Sequence, residues 1–154
     1  MSDQIDQTGL MPVDSGTTTY LPVMGQSEVD SVRQLEDAAM RLPQVHIPTD
    51  HAFHAGMYAR TIMIPAGVAL TGAQIKIPTI LIISGDTLVY GENGATRYTG
   101  YHVALGQRGR KQAFYALQDT YLTMLFPTAA ATADEAEREF TDEHEKLLSR
   151  KECA

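Results

Sequence analysis

The residues best suited to binding a metal or moving a proton are His46, His51, His54 and His102. His51 and His54 stand three positions apart, a ligand spacing on a helix or turn, and His102 can approach them from a later strand. Zinc or iron takes such imidazole sets. Asp50 is the one carboxylate at a companion spacing, however, and Pro48 disfavours a regular helix just before it. The competing expectation is that His51 pins the entering strand by hydrogen bonding, with Tyr58 and Arg60 as its neighbours. We therefore expect no metal and no cofactor, with His46, His51 and His54 as the fallback metal site.

A second set, Arg60, Lys76, His102, Gln112 and Tyr121, has the donors to bind a small anion through charge-assisted hydrogen bonds. The run Arg108-Gly109-Arg110-Lys111 is the best basic patch. It lacks the interleaved stacking aromatics of a nucleic-acid surface, so nucleic acid is not expected as a partner. A solvated turn, or pairing with acidic segments of another chain, are its other readings. No phosphate-binding glycine loop, dinucleotide fingerprint or Gly-x-Ser-x-Gly elbow is present. Cys153, the single cysteine, forms no internal disulfide, which fits a reducing compartment, and it is a poor nucleophile candidate.

These residues must be positioned by a chain of 154 residues, enough for one domain with a core. Residues 1–26 read as an extended polar arm interrupted by Pro12 and Pro22, with Tyr20 able to dock on a surface. Val32, Leu35, Ala39 and Leu42 recur at helical spacing, which predicts a helix over 28–42 capped by Ser27 and stopped by Pro43. Short apolar runs separated by turn residues then predict strands at 58–64, 68–74, 80–83, 87–90, 98–105, 111–117 and 120–126. Such spacing indicates a sandwich or barrel. Thr132-x-x-Glu135 is a capping-box pattern, and Ala136, Phe140, His144, Leu147 and Leu148 make one apolar stripe of a closing helix. The expected division is an arm plus helix over 1–45, a β-barrel over 46–130 and a helix over 131–154.

The net charge of −7 is uneven. Residues 1–50 carry eight acids and two bases, 51–130 three acids and six bases, and 131–154 eight acids and four bases. A basic middle between acidic ends can bind an anion or dock against the acidic ends of neighbouring copies. No apolar run approaches the ~20 residues of a membrane-spanning helix, and Met1-Ser2-Asp3-Gln4 has no apolar leader. Neither a membrane association nor secretion is expected.

Ile64-Pro65-Ala66-Gly67, then Ile83-Ser84-Gly85-Asp86, then Gly106-Gln107-Arg108-Gly109 resemble, in that order, the turn pattern of the cupins. A closer resemblance is to small cupin-like proteins of tailed bacteriophages. It lies in His51-x-Phe53-x-x-Gly56-x-Tyr58-x-Arg60, Gly72, Lys76, Gly109-Arg110-Lys111 and Tyr115 to Thr120, and it covers residues 51–128. The resemblance implies a mainly β fold, a small antiparallel β-barrel or jelly roll with an N-terminal arm and helix and a C-terminal helix. In the cupin pattern His-x-His and Glu follow the first glycine and a further His follows the last. Counting from Gly67 puts those ligands at Ala73, Ile75 and Thr79 or Ile80; counting back from Gly85 puts them at Pro78 and among residues 71–74; counting from Gly109 gives Gln112. No register supplies an imidazole or a carboxylate, so the metal chemistry of the family loses its support.

The resemblance further implies a non-enzymatic virion or assembly component, such as head decoration, connector or tail-associated part, located in the virion or the host cytoplasm. Its partners would be itself, as a dimer or higher oligomer, and other phage structural proteins. Tyr20, Val32, Leu35, Arg108, Arg110, Lys111, Phe140 and Leu147 are the expected interface. The alternatives are a small-ligand protein that captures an anion or nucleotide, for instance as an anti-defence factor, and a metal-dependent cupin enzyme with a relocated histidine site.

Overall fold

In a computed structural model of the chain, residues 18–147 are described. The alternating apolar runs of the middle form one eight-stranded sheet. Its strands are β1 (Thr19–Tyr20), β2 (Thr49–His54), β3 (Met57–Ile64), β4 (Ala69–Thr71), β5 (Thr79–Gly91), β6 (Gly94–Gly106), β7 (Ala113–Ala116) and β8 (Thr120–Pro127). The main path runs β1-β6-β5-β8-β3-β2, and β7 pairs with both β4 and β5.

The long strand β5 divides the sheet into two leaves. Residues Ile80–Ser84 pair with β8, whereas Thr87–Val89 pair with β7. Between them Gly85 has φ 150° and lies opposite Gly100, whose φ is 88°. A Cβ at Gly85 would sit 2.6 Å from Thr120 Oγ1, so the bend needs glycine for conformation and for space. The sequence predicts a turn at Ser84-Gly85-Asp86 with separate strands on either side. Instead the two glycines absorb the bend and the β5–β6 ladder continues through it.

Alternation then sorts the side chains. Leu81, Ile83, Leu122, Met124, Phe126, Tyr58 and Ile64 are buried, while Ile80, Tyr101 and Tyr121 face out. The expected mainly β, jelly-roll fold is formed, though not as a wholly antiparallel barrel. The strand path ends at β1 and β2, and β1 pairs with β6 in parallel, so the sheet is mixed and the fold is jelly-roll-like.

Helix α1 (Gln26–Ala39) buries Val29 and Val32. Gly25, not Ser27, is its N-cap; the Ser27 hydroxyl meets Glu28 instead. Helix α2 (Ala133–Phe140) begins as expected, with the Thr132 hydroxyl accepting from the Glu135 N–H. It buries Ala136 and Phe140 against Phe126, but it stops eight residues in. Thr141 turns extended and its hydroxyl donates to the Gln74 carbonyl, while Phe140 O accepts from Lys76 N–H. These ties to the loop before β5 end the helix, and a short 3-10 turn, His144–Lys146, follows. Leu148, Cys153, Pro12 and most of the expected arm lie outside the described residues. No helix among the described residues is long and apolar enough to cross a membrane.

Candidate functional site: a cavity with an uncompensated arginine

The two leaves border a half-open pocket of about 160 Å³. Its walls are apolar, with Ile62, Ile75, Leu81, Phe114 and Leu122 prominent; Glu36 of α1, Phe140 of α2 and Lys146-Leu147 complete the lining. Arg60, Arg110 and Gln112 supply its polar atoms from the sheet side.

Arg60 is answered. It donates to Glu137 Oε2 at 2.7 Å, with both side chains nearly buried, and lies 5.7 Å from the Phe140 ring centroid. Arg110 differs. It is 6% exposed, and its partners are Gln112 Oε1 (3.2 Å), Gln107 O (3.2 Å), Thr79 Oγ1 (2.8 Å) and the Met124 sulfur (3.9 Å). All four are neutral. Burial without a counter-charge pulls its pKa down from 12.5 to about 10. The Arg110–Gln112 bond also orients the amide: with Oε1 accepting, Nε2 is left buried and without a partner. Arg110 therefore has no counter-charge among the described residues, and the neighbouring Gln112 Nε2 is a donor without a partner, sealed from solvent.

The next residue, Lys111, is fully buried and answered. Its ammonium donates to Glu36 Oε2, Glu143 Oε2 and Gly72 O, each at 2.9 Å. Arg33 also pairs with Glu143, and Lys146 reaches Glu36 at 3.4 Å. Burial alone would raise the Glu143 pKa, but hydrogen bonds from Lys111, the Gln74 N–H and Arg33 outweigh it and hold the group at about 2. The basic middle and acidic ends thus meet within one chain. Arg110 and Lys111 of the expected intermolecular patch, with Val32 and Phe140, are buried in the chain's own fold, and Leu147 is partly buried on the cavity. Tyr20, Leu35 and Arg108 remain exposed.

Of the expected anion set, the structure brings Arg60 and Gln112 together and scatters the rest. Lys76 is at the surface with Asp142 at 2.8 Å. Tyr121 points outward. His102 is buried away from the cavity, with Nε2 2.7 Å from Thr99 O and its ring edge-on to Tyr98. The fallback histidines also separate, because residues 49–54 form a strand. Positions three apart then face opposite sides, and no group of three or more His, Cys, Asp or Glu able to hold a metal occurs among the described residues. His51 instead lies 2.6 Å from the Tyr58 hydroxyl and opposite Arg60 in register. Burial and then the Arg60 charge lower its pKa.

The positions counted for cupin ligands do converge. Ala73, Ile75 and Gln112 line the cavity, and Thr79 bonds Arg110. A divalent transition metal wants three or more imidazole, carboxylate or thiolate ligands. This set offers one hydroxyl and one amide oxygen, both already engaged by a guanidinium cation, and it does not fit a metal. Arg110 is the residue that sequence reasoning misplaced. Its signal was its position two before Gln112.

No protein-family model matches the chain, and no curated protein matches it. Among solved structures the chain is similar to a cupin superfamily protein from Desulfitobacterium hafniense, at 8% identity and TM-score 0.46, over 56% of this chain and 82% of that one. It is similar to the EutQ protein of Clostridium difficile at 12% identity and TM-score 0.48, over 69% and 75%. A variant of the salicylate 1,2-dioxygenase of Pseudoaminobacter salicylatoxidans shares 12% identity at TM-score 0.45, over 79% of this chain and 40% of the dioxygenase. At these values the likeness adds nothing to what the strand order already establishes.

Proposed function

We propose that the chain is a binding protein that takes a small anion into the cavity between its leaves. The observation that carries this reading is Arg110, a buried guanidinium whose partners are all neutral. Buried charges are normally paired, because desolvation otherwise penalises the fold. An anion seated beside Arg110 supplies the missing charge. Thermal unfolding against a panel of inorganic and organic anions tests it. A ligand at 100 times its dissociation constant adds ~2.7 kcal/mol of stability, and a chain indifferent to every anion would sink the reading.

A second reading, self-association, is favoured by one feature, and the tailed-phage particle as its setting rests on the sequence resemblance alone. β2 ends the strand path, pairs only with β3 among the described residues, and exposes His51 to His54. Such an edge adds strands readily. Native mass spectrometry tests it: a closed oligomer supports the assembly role, and a monomer at micromolar concentration counts against it.

A further inference from the structure

We infer that the ligand is a monocarboxylate whose apolar body is about the size of one six-membered ring, its carboxylate seated against Arg110. This rests on the anion-binding reading and narrows it by charge, size and polarity.

Among the described residues one cation in the lining lacks a counter-charge, since Arg60 is paired with Glu137 and Lys146 with Glu36. A single negative charge completes the site. A second would be stranded in an apolar pocket that Glu36 already lines. Four of the five Arg110 N–H groups are engaged, which leaves one on Nη1 to meet a carboxylate oxygen in a charge-assisted hydrogen bond.

Size sets the other end of the ligand. A dry cavity of about 150 Å³ takes a benzene molecule, and this one measures about 160 Å³. Drug-sized ligands occupy pockets of about 300–1,000 Å³, so the walls of this half-open pocket surround less than a nucleotide. Beyond the polar corner the walls are Ile62, Leu81, Phe114, Leu122 and Phe140. They reward an apolar ring or a branched alkyl group and offer a polar body no partners.

Isothermal titration at pH 7 with benzoate, benzyl alcohol, sulfate, phthalate and 2-naphthoate tests the inference on the full chain. Benzoate is expected to bind one per chain, at least tenfold more tightly than the other four. Its affinity should fall at least tenfold in Arg110→Met and severalfold in Gln112→Leu, two independent variants whose folding is checked by circular dichroism. Benzyl alcohol equal to benzoate overturns the role of charge, and phthalate equal to it overturns the single charge. 2-Naphthoate equal to benzoate overturns the size limit. Sulfate tighter than benzoate overturns the carboxylate class while leaving anion binding intact. A chain that binds none of the anions overturns both.

Discussion

The Arg110 guanidinium lies against Gly106: a Cβ built on that glycine would stand 2.6 Å from Arg110 Cζ and from one of its terminal nitrogens. Gly106 pairs with Thr79, whose hydroxyl accepts from Arg110. The end of the β5–β6 hairpin is thus a seat for a buried cation.

Replacing Gly106 with alanine is expected to unseat that cation. The φ of Gly106 is not positive, so the strain is steric and falls on the guanidinium. Overpacking of this kind destabilises by ~1–3 kcal/mol. Chemical denaturation gives that loss, and titration should show anion binding lost along with it. Wild-type affinity in Gly106→Ala would mean that Arg110 does not contact the anion.

Binding should depend on pH at the alkaline end. Arg110 titrates at about 10 in the free protein because burial disfavours its charged form. A bound carboxylate favours that form, so the ligand needs the protonated arginine. Affinity is expected to be flat from pH 7 to 9 and to fall towards tenfold per pH unit above 10. Unchanged affinity at pH 11, in a chain still folded by circular dichroism, would count against the contact.

Much of the fold was legible because alternation and glycine turns are local signals, and six of the eight strands fall on predicted apolar runs; β2, whose apolar residues are Ala52 and Phe53 alone, carries no such run. The short β1 was not legible, since two residues carry no period and their partner is 85 positions away in β6. The site was half legible. Gln112 follows from counting after Gly109, whereas Arg110 and Lys111 read as a surface run because charged residues are seldom buried. Their burial depends on distant groups. Glu36 lies 75 positions from Lys111, and Thr79 lies 31 from Arg110. No window of sequence shows those contacts.

Acid should loosen the segment over the cavity. The Glu143 pKa is lowered from 4.5 to about 2, so its ionised form favours the fold. That contribution is fully present above pH 4.5 and is lost as pH falls to about 2. Glu143→Gln should therefore be less stable than the wild type at pH 7, with the difference closing between pH 4.5 and 2. A difference that stays constant across that window would mean that the carboxylate charge is not what Lys111 and Arg33 hold.

Bending at Gly85 sets the two leaves apart. Alanine there would place its Cβ within 2.7 Å of the backbone of Asp119 and Thr120 at a strained φ. We expect a loss of ~2–3 kcal/mol, the range for strain and overpacking together, read by denaturant unfolding. A near-neutral Gly85→Ala would show that the bend is not imposed there.

The missing counter-charge of Arg110 can be tested without a ligand, by comparing the unfolding free energies of Arg110→Met and Arg60→Met. Arg60 is paired with Glu137, and removing one member of a buried ion pair is expected to lose ~3–5 kcal/mol. Arg110 has neutral partners among the described residues, so Arg110→Met should lose less, about 1–2 kcal/mol, because it leaves buried acceptors unsatisfied but strands no charge. A loss of ~3 kcal/mol or more in Arg110→Met would show that the chain already supplies its counter-charge, and the account of an anion-completed cavity would be contradicted.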